Sequence, residues 1–151
     1  GINGRLDTLQ AAILLEKFKI FPNEIKMREK VANLYSTNLN GLISIQKFDT
    51  FYKSVYAQYS LRCKNQKERD LIIRSLNKHN IPTMIYYKKS LHHQKVNHDL
   101  KYKKNELIES EKLSKTILSI PMSPYIQEST VNFISHQIIN CLKSEKNLSI
   151  S

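Results

Sequence analysis

Ser54–Cys63, read as SVYAQYSLRC, is the stretch that decides what kind of fold this chain can form. Val55, Ala57, Tyr59, Leu61 and Cys63 alternate with Tyr56, Gln58, Ser60 and Arg62. A period of two puts the first set on one face of a strand and the second set on the other. One face is apolar and the other mixed, so the strand is expected to lie on a core.

Outward from that strand the pattern turns helical on both sides. Toward the C-terminus, residues 66–79 form a predicted helix with Leu71, Ile72 and Leu76 inward, closed by Asn80 and Pro82. Thr83–Tyr87 (TMIYY) reads as a second short strand, and residues 88–105 as a long polar loop, a kind of segment that often carries function. A helix over 106–118 follows, then SIPMSPY as strand and turn, then a helix over 128–142 with Val131, Ile134, Ile138 and Leu142 inward. The tail from Ser144 is expected to fray. Toward the N-terminus lie a short strand at 43–45 and two predicted helices that meet at Pro22. Leu6, Leu9, Ala12, Ile13, Leu15 and Phe18 make the first a helix expected to be buried along its length; the second, 22–39, is stopped by Asn40-Gly41. The expected architecture is α/β in the broad sense (α+β): a small layered domain preceded by a two-helix arm.

Composition narrows the classes. At 151 residues and 40% hydrophobic the chain fits one domain with a core. It has no apolar run long enough to cross a bilayer and no basic-then-apolar leader, so no membrane association is expected. Two cysteines, Cys63 and Cys141, are not a disulfide framework, and a cytoplasmic setting is the default. The net charge of +11 raises a basic nucleic-acid-binding domain as an alternative. The lysines are spread along the whole chain, and no helix-turn-helix, zinc or RNA-recognition signature accompanies them, so no nucleic-acid partner is expected.

The chain opens GINGRLDTLQAAILLEKF at Gly1 rather than at a methionine, as if from the middle of something longer. Glycines beside Asn3 and Arg5, ahead of a helix, can present backbone N–H groups, an amide and a guanidinium to an anion. A plain turn with a surface arginine would read the same way.

Four ordered stretches, GINGRLDTLQAAILLEKFKIF, SVYAQYSLR, NIPTMIYYKKSLHHQ and EKLSKTILSIPMSPY, resemble motifs of the DegT/DnrJ/EryC1/StrS sugar aminotransferases, and together they span nearly the whole chain. That resemblance implies the small C-terminal domain of a fold-type I transferase that uses pyridoxal 5′-phosphate (PLP). It divides the chain into an arm (1–41) linking to a large PLP-binding domain outside it, a small domain (42–143) and a tail (144–151). The lysine that holds PLP as a Schiff base would lie upstream of Gly1. The chain alone would therefore supply no catalytic residue and be inactive. By the same resemblance, Asn3 contacts the coenzyme phosphate of the neighbouring subunit of a homodimer, and Arg5 lies near that subunit's substrate. Tyr86, Tyr87 and His92 line the sugar-nucleotide site. The implied reaction moves an amino group from an amino acid, glutamate being the expected donor, to a nucleotide-linked keto sugar for surface-glycan synthesis. SVYAQY and NGRLDTLQAAILLEK look most like members acting on UDP-linked keto sugars, the 3-keto-glucuronate type included.

The chain also departs from the motifs. Lys88-Lys89-Ser90 stands where the family has a Pro-x-Pro, which should loosen the loop. Such departures keep a non-catalytic remnant, or one half of a split gene, as an alternative. His92, His93 and His98 cluster in sequence, but no cysteine or carboxylate completes a recognisable metal spacing, so no metal site is expected.

Overall fold

The computed structural model describes residues 4–49, 51–103 and 106–148, with the side chains of residues 98 and 145–148 left aside. One helix, α1, spans Thr8–Leu39 in place of the two expected. Asp7 caps it, its carboxylate accepting the Leu9 N–H at 2.8 Å. Pro22 lies inside the helix without ending it. A proline withholds one backbone donor, but its fixed φ suits a helix, and the helical turns run on past it on both sides.

The expectation that the first half of α1 is buried is overturned. Leu9, Ile13, Leu14, Leu15, Phe18, Ile20 and Phe21 are all exposed. These residues spread around every side of the helix rather than along one stripe, so no single neighbour could cover them. The second half behaves differently: Val31, Ala32, Tyr35 and Leu39 are buried, and α1 packs there against the last helix. Gly41, at φ +71°, takes the left-handed turn that Asn40-Gly41 predicts.

Strands β1 (Ser44–Ile45), β2 (Tyr59–Arg62) and β3 (Ile117–Ile120) form an antiparallel sheet in the order β1-β2-β3. The mixed helix-and-sheet class expected from the sequence is the one found. On β2, Tyr59 and Leu61 are buried together with the following Cys63, as their alternation requires. Ser60 Oγ and Ser119 Oγ meet at 2.8 Å on the other side. The strand is shorter than expected, because Tyr56 sits at φ 45° and breaks the extended run, leaving Val55 and Ala57 exposed.

Thr83–Tyr87 is reduced to one bridge. Met84 and Ser119 exchange both backbone hydrogen bonds, at 3.0 and 2.7 Å. In that register the next hydrogen-bonded pair on one side would be Pro82 opposite Pro121, neither of which has an N–H. On the other side Tyr86 would face Ile117, whose N–H already donates to Leu113 O. The ladder cannot grow in either direction.

Helix α2 (Gln66–Lys78) follows β2, capped by Asn65, whose side chain accepts the Glu68 N–H at 2.9 Å. Helix α3 (Ile108–Thr116) is shorter at both ends than expected, and its C-terminal end stops early because Ile117 is drawn into the sheet. Helix α4 (Glu128–Leu148) runs past the expected break at Ser144; residues 149–151 lie outside the described residues. One apolar cluster joins these elements: Tyr35 and Leu39 from α1, Leu61 and Leu118 from the sheet, Ile72 and Leu76 from α2, and Val131, Ile134, Ile138 and Leu142 from α4. Tyr35 stacks on Tyr59 at 5.0 Å and donates to Pro121 O at 3.0 Å, satisfying its hydroxyl inside the core.

Candidate functional site in the loop between the Met84 bridge and α3

The loop after Met84 is folded rather than open. Two 3-10 turns, Leu91–His93 and Lys95–Leu100, occupy much of it. Ser90, buried, donates from Oγ to Ser110 O at 3.0 Å and ties the first turn to α3. Asn97 Nδ2 donates to Leu91 O at 2.7 Å, and Gln94 Nε2 to Lys89 O at 3.1 Å. These bonds supply constraint where the family's prolines are missing.

Tyr86 and Tyr87 stand at the mouth of this loop. Their rings meet edge to face at 5.7 Å, with Tyr87 70% exposed and Tyr86 37%. Such a pair offers a flat apolar surface and two hydroxyls to a ligand. His92 is buried in the first turn. Its Nε2 lies 3.3 Å from Glu111 Oε1 on α3, and its ring packs against His93 and Tyr102. Glu111 is the site residue that the sequence did not disclose. It lies 19 positions from His92 in no spaced motif, and only the packing of α3 on the loop brings it there. His93 Nε2 is 3.9 Å from the same oxygen.

Arg5 lies elsewhere, exposed in the segment ahead of α1. Tyr125 Oη hydrogen-bonds to Glu24 and ties the middle of α1 to the segment that follows β3. From Glu24 back to Thr8 the helix projects about 24 Å. Arg5 is therefore held at the far end of a long arm. Asn3 lies outside the described residues. Every lysine whose side chain is described is exposed.

The model of the DegT/DnrJ/EryC1/StrS aminotransferase family matches residues 1–139. The chain belongs to that family. One relative is the UDP-2-acetamido-2-deoxy-3-oxo-D-glucuronate aminotransferase of Pseudomonas aeruginosa, 38% identical over 141 residues, covering 93% of this chain and 38% of that protein. Another is the pleiotropic regulatory protein of Geobacillus stearothermophilus, 35% identical, covering 91% of this chain and 37% of that protein. A crystal structure of a DegT/DnrJ/EryC1/StrS aminotransferase from Brucella abortus superposes with a TM-score of 0.83 at 37% identity, covering 93% of this chain and 37% of that one. The chain thus spans well under half the length of these relatives.

Proposed function

We propose that this chain is the C-terminal part of a PLP-dependent aminotransferase that moves an amino group from an amino acid, glutamate in our reading, to a nucleotide-linked keto sugar. The observation that carries this reading is the 38% identity, along 93% of the chain, to an enzyme named for a UDP-linked 3-keto-glucuronate. A UDP-linked substrate of that type is the finer form of the proposal, with surface-glycan synthesis in the cytoplasm as its setting. Among the described residues no helix is long and apolar enough to cross a membrane.

PLP, when bound, supplies the electron sink for amino-group transfer. In this reading a large domain upstream and the partner subunit hold most of it. Asn3 would donate to the coenzyme phosphate of the partner, and Arg5 would pair with an anionic group of the substrate there. Tyr86 and Tyr87 would flank the nucleotide-sugar, with Tyr87 the more open of the two. His92, nearly covered, would reach a substrate hydroxyl or phosphate only through the small part of its ring left open. The apolar first half of α1 would be covered by the large domain and the partner subunit, fixing the direction in which Arg5 is aimed.

Two measurements test this. The chain alone, incubated with PLP and reduced with borohydride, should carry no covalent coenzyme; a stoichiometric adduct would overturn the placement of the lysine upstream. In the protein with its upstream domain, Arg5→Ala should lower turnover of a UDP-linked keto sugar at least ~100-fold, as expected for a lost charged contact to substrate. Unchanged turnover would remove Arg5 from the site.

A further inference from the structure

We propose that His92, His93 and Glu111 form a binding site for one divalent transition-metal ion, with zinc the best fit. Each residue offers one ligand atom, and the three atoms lie within 4.8 Å of one another. Two donors bound to a tetrahedral zinc at ordinary bond lengths lie about 3.3–3.5 Å apart. Glu111 Oε1 and His92 Nε2 already stand 3.3 Å apart, and Glu111 Oε1 and His93 Nε2 are 3.9 Å apart. His93 Nε2 has to close on Glu111 Oε1 by about half an ångström, a side-chain adjustment within reach of a half-exposed histidine, and its separation from the His92 ligand atom lies within the same 4.8 Å.

The burial pattern fits the same chemistry. The side chains of His92 and Glu111 are 3% and 14% exposed, whereas that of His93 is 46% exposed. Two ligands are set in the protein and the third closes the rim. That leaves the fourth position toward solvent, the arrangement of an accessible zinc site rather than a closed structural one. Both imidazoles turn an Nε2 toward the same Glu111 oxygen, instead of splaying to opposite sides as neighbours in an extended chain would. The scaffold is also fixed: Ser90 holds the histidine turn to α3 through Ser110 O, and Glu111 is held in the helix through its N–H to Leu107 O at 3.0 Å. Two imidazoles and one carboxylate suit zinc, cobalt or nickel, whereas calcium and magnesium call for oxygen donors throughout.

The expectation of no metal rested on the lack of a carboxylate at a recognisable spacing. The fold supplies that carboxylate from α3. A bound ion would fasten the loop to α3 at a second point and occupy His92 Nε2, in place of the substrate contact proposed for that ring above.

The test is a titration of the full chain with zinc, and with cobalt for its visible ligand-field bands. One equivalent should bind saturably, with cobalt showing a four-coordinate spectrum. His93→Ala and Glu111→Gln should each weaken binding at least ~tenfold. His136→Ala, on α4 and outside the cluster, should leave it unchanged. His93 is half-exposed, so its variant keeps the fold, which circular dichroism verifies, and it decides the matter even if Glu111→Gln does not fold. No saturable binding, or binding that His93→Ala leaves intact, would overturn the site.

Discussion

Phe18 and Tyr35 sit on the same helix, yet Phe18 is 68% exposed and Tyr35 is fully buried. The two halves of α1 share a backbone and a wealth of apolar side chains. They differ in where those side chains point. In the second half, Val31, Ala32, Tyr35 and Leu39 recur at helical spacing along a stripe that α4 meets. In the first half, apolar residues occur on all sides, a pattern suited to a helix enclosed by several neighbours. The comparison teaches that a helix can be fully specified as a helix while the apolar side chains along half of it stay exposed.

The largest effect that could break this comparison is a truncation in the buried half. Leu39→Ala should cost about 2–5 kcal/mol in chemical denaturation, since it opens a cavity in the shared core. A cost below about 1 kcal/mol would mean that the second half of α1 is not part of the core either.

Alkaline pH gives the next test. Burial, helped by Tyr59, pushes the Tyr35 phenol up from its ordinary value of 10.0. Burial pushes Tyr59 up as well, and pushes the Cys63 thiol from 9.0 to about 12. The unfolded chain releases these protons at their ordinary values while the folded chain keeps them, so stability is complete below pH 9 and falls as pH rises from there toward 12. Midpoints of urea unfolding followed from pH 8 to 11 should decline. A flat profile would contradict the burial of this tyrosine–cysteine core.

Smaller effects sharpen the boundary. Asn38 Nδ2 donates to Asn132 Oδ1 at 2.8 Å, joining the second half of α1 to α4. Asn38→Ala should cost about 0.5–1.5 kcal/mol. Phe18→Ala, in the first half, should change stability by less than about 0.5 kcal/mol. A loss comparable to that of Leu39→Ala would show that something in this chain already covers Phe18.

Much of this fold is legible from residue pattern alone, and the misreadings have particular causes. Helix α2, the inward residues of α4, and the Tyr59–Leu61–Cys63 face follow from periodicity, because those segments meet this chain's own core. Pro22 reads as a break because a proline usually ends a helix, whereas α1 continues through it. The fourth strand is lost through a coincidence of register, two prolines facing each other across the sheet, which no local window reveals. The candidate site divides in the same way. Tyr86, Tyr87 and His92 lie in one continuous stretch whose motif can be read directly. Glu111 joins His92 and His93 only through tertiary packing, so its part in the cluster has no sequence signal. Arg5 is legible as an anion-seeking residue, and in this chain it stands exposed ahead of α1.

The exposed half of α1 is the feature on which this account depends, and light scattering on the unmodified chain tests it most directly. Apolar side chains left open on every side of a long helix should drive self-association, with an apparent mass well above the 17.7 kDa of one chain. Replacing Leu9, Ile13, Phe18 and Phe21 together with polar residues should return a monomer that keeps its helix content by circular dichroism. An unmodified chain that stays a clean monomer would contradict the claim that this helix is built to be covered by another surface.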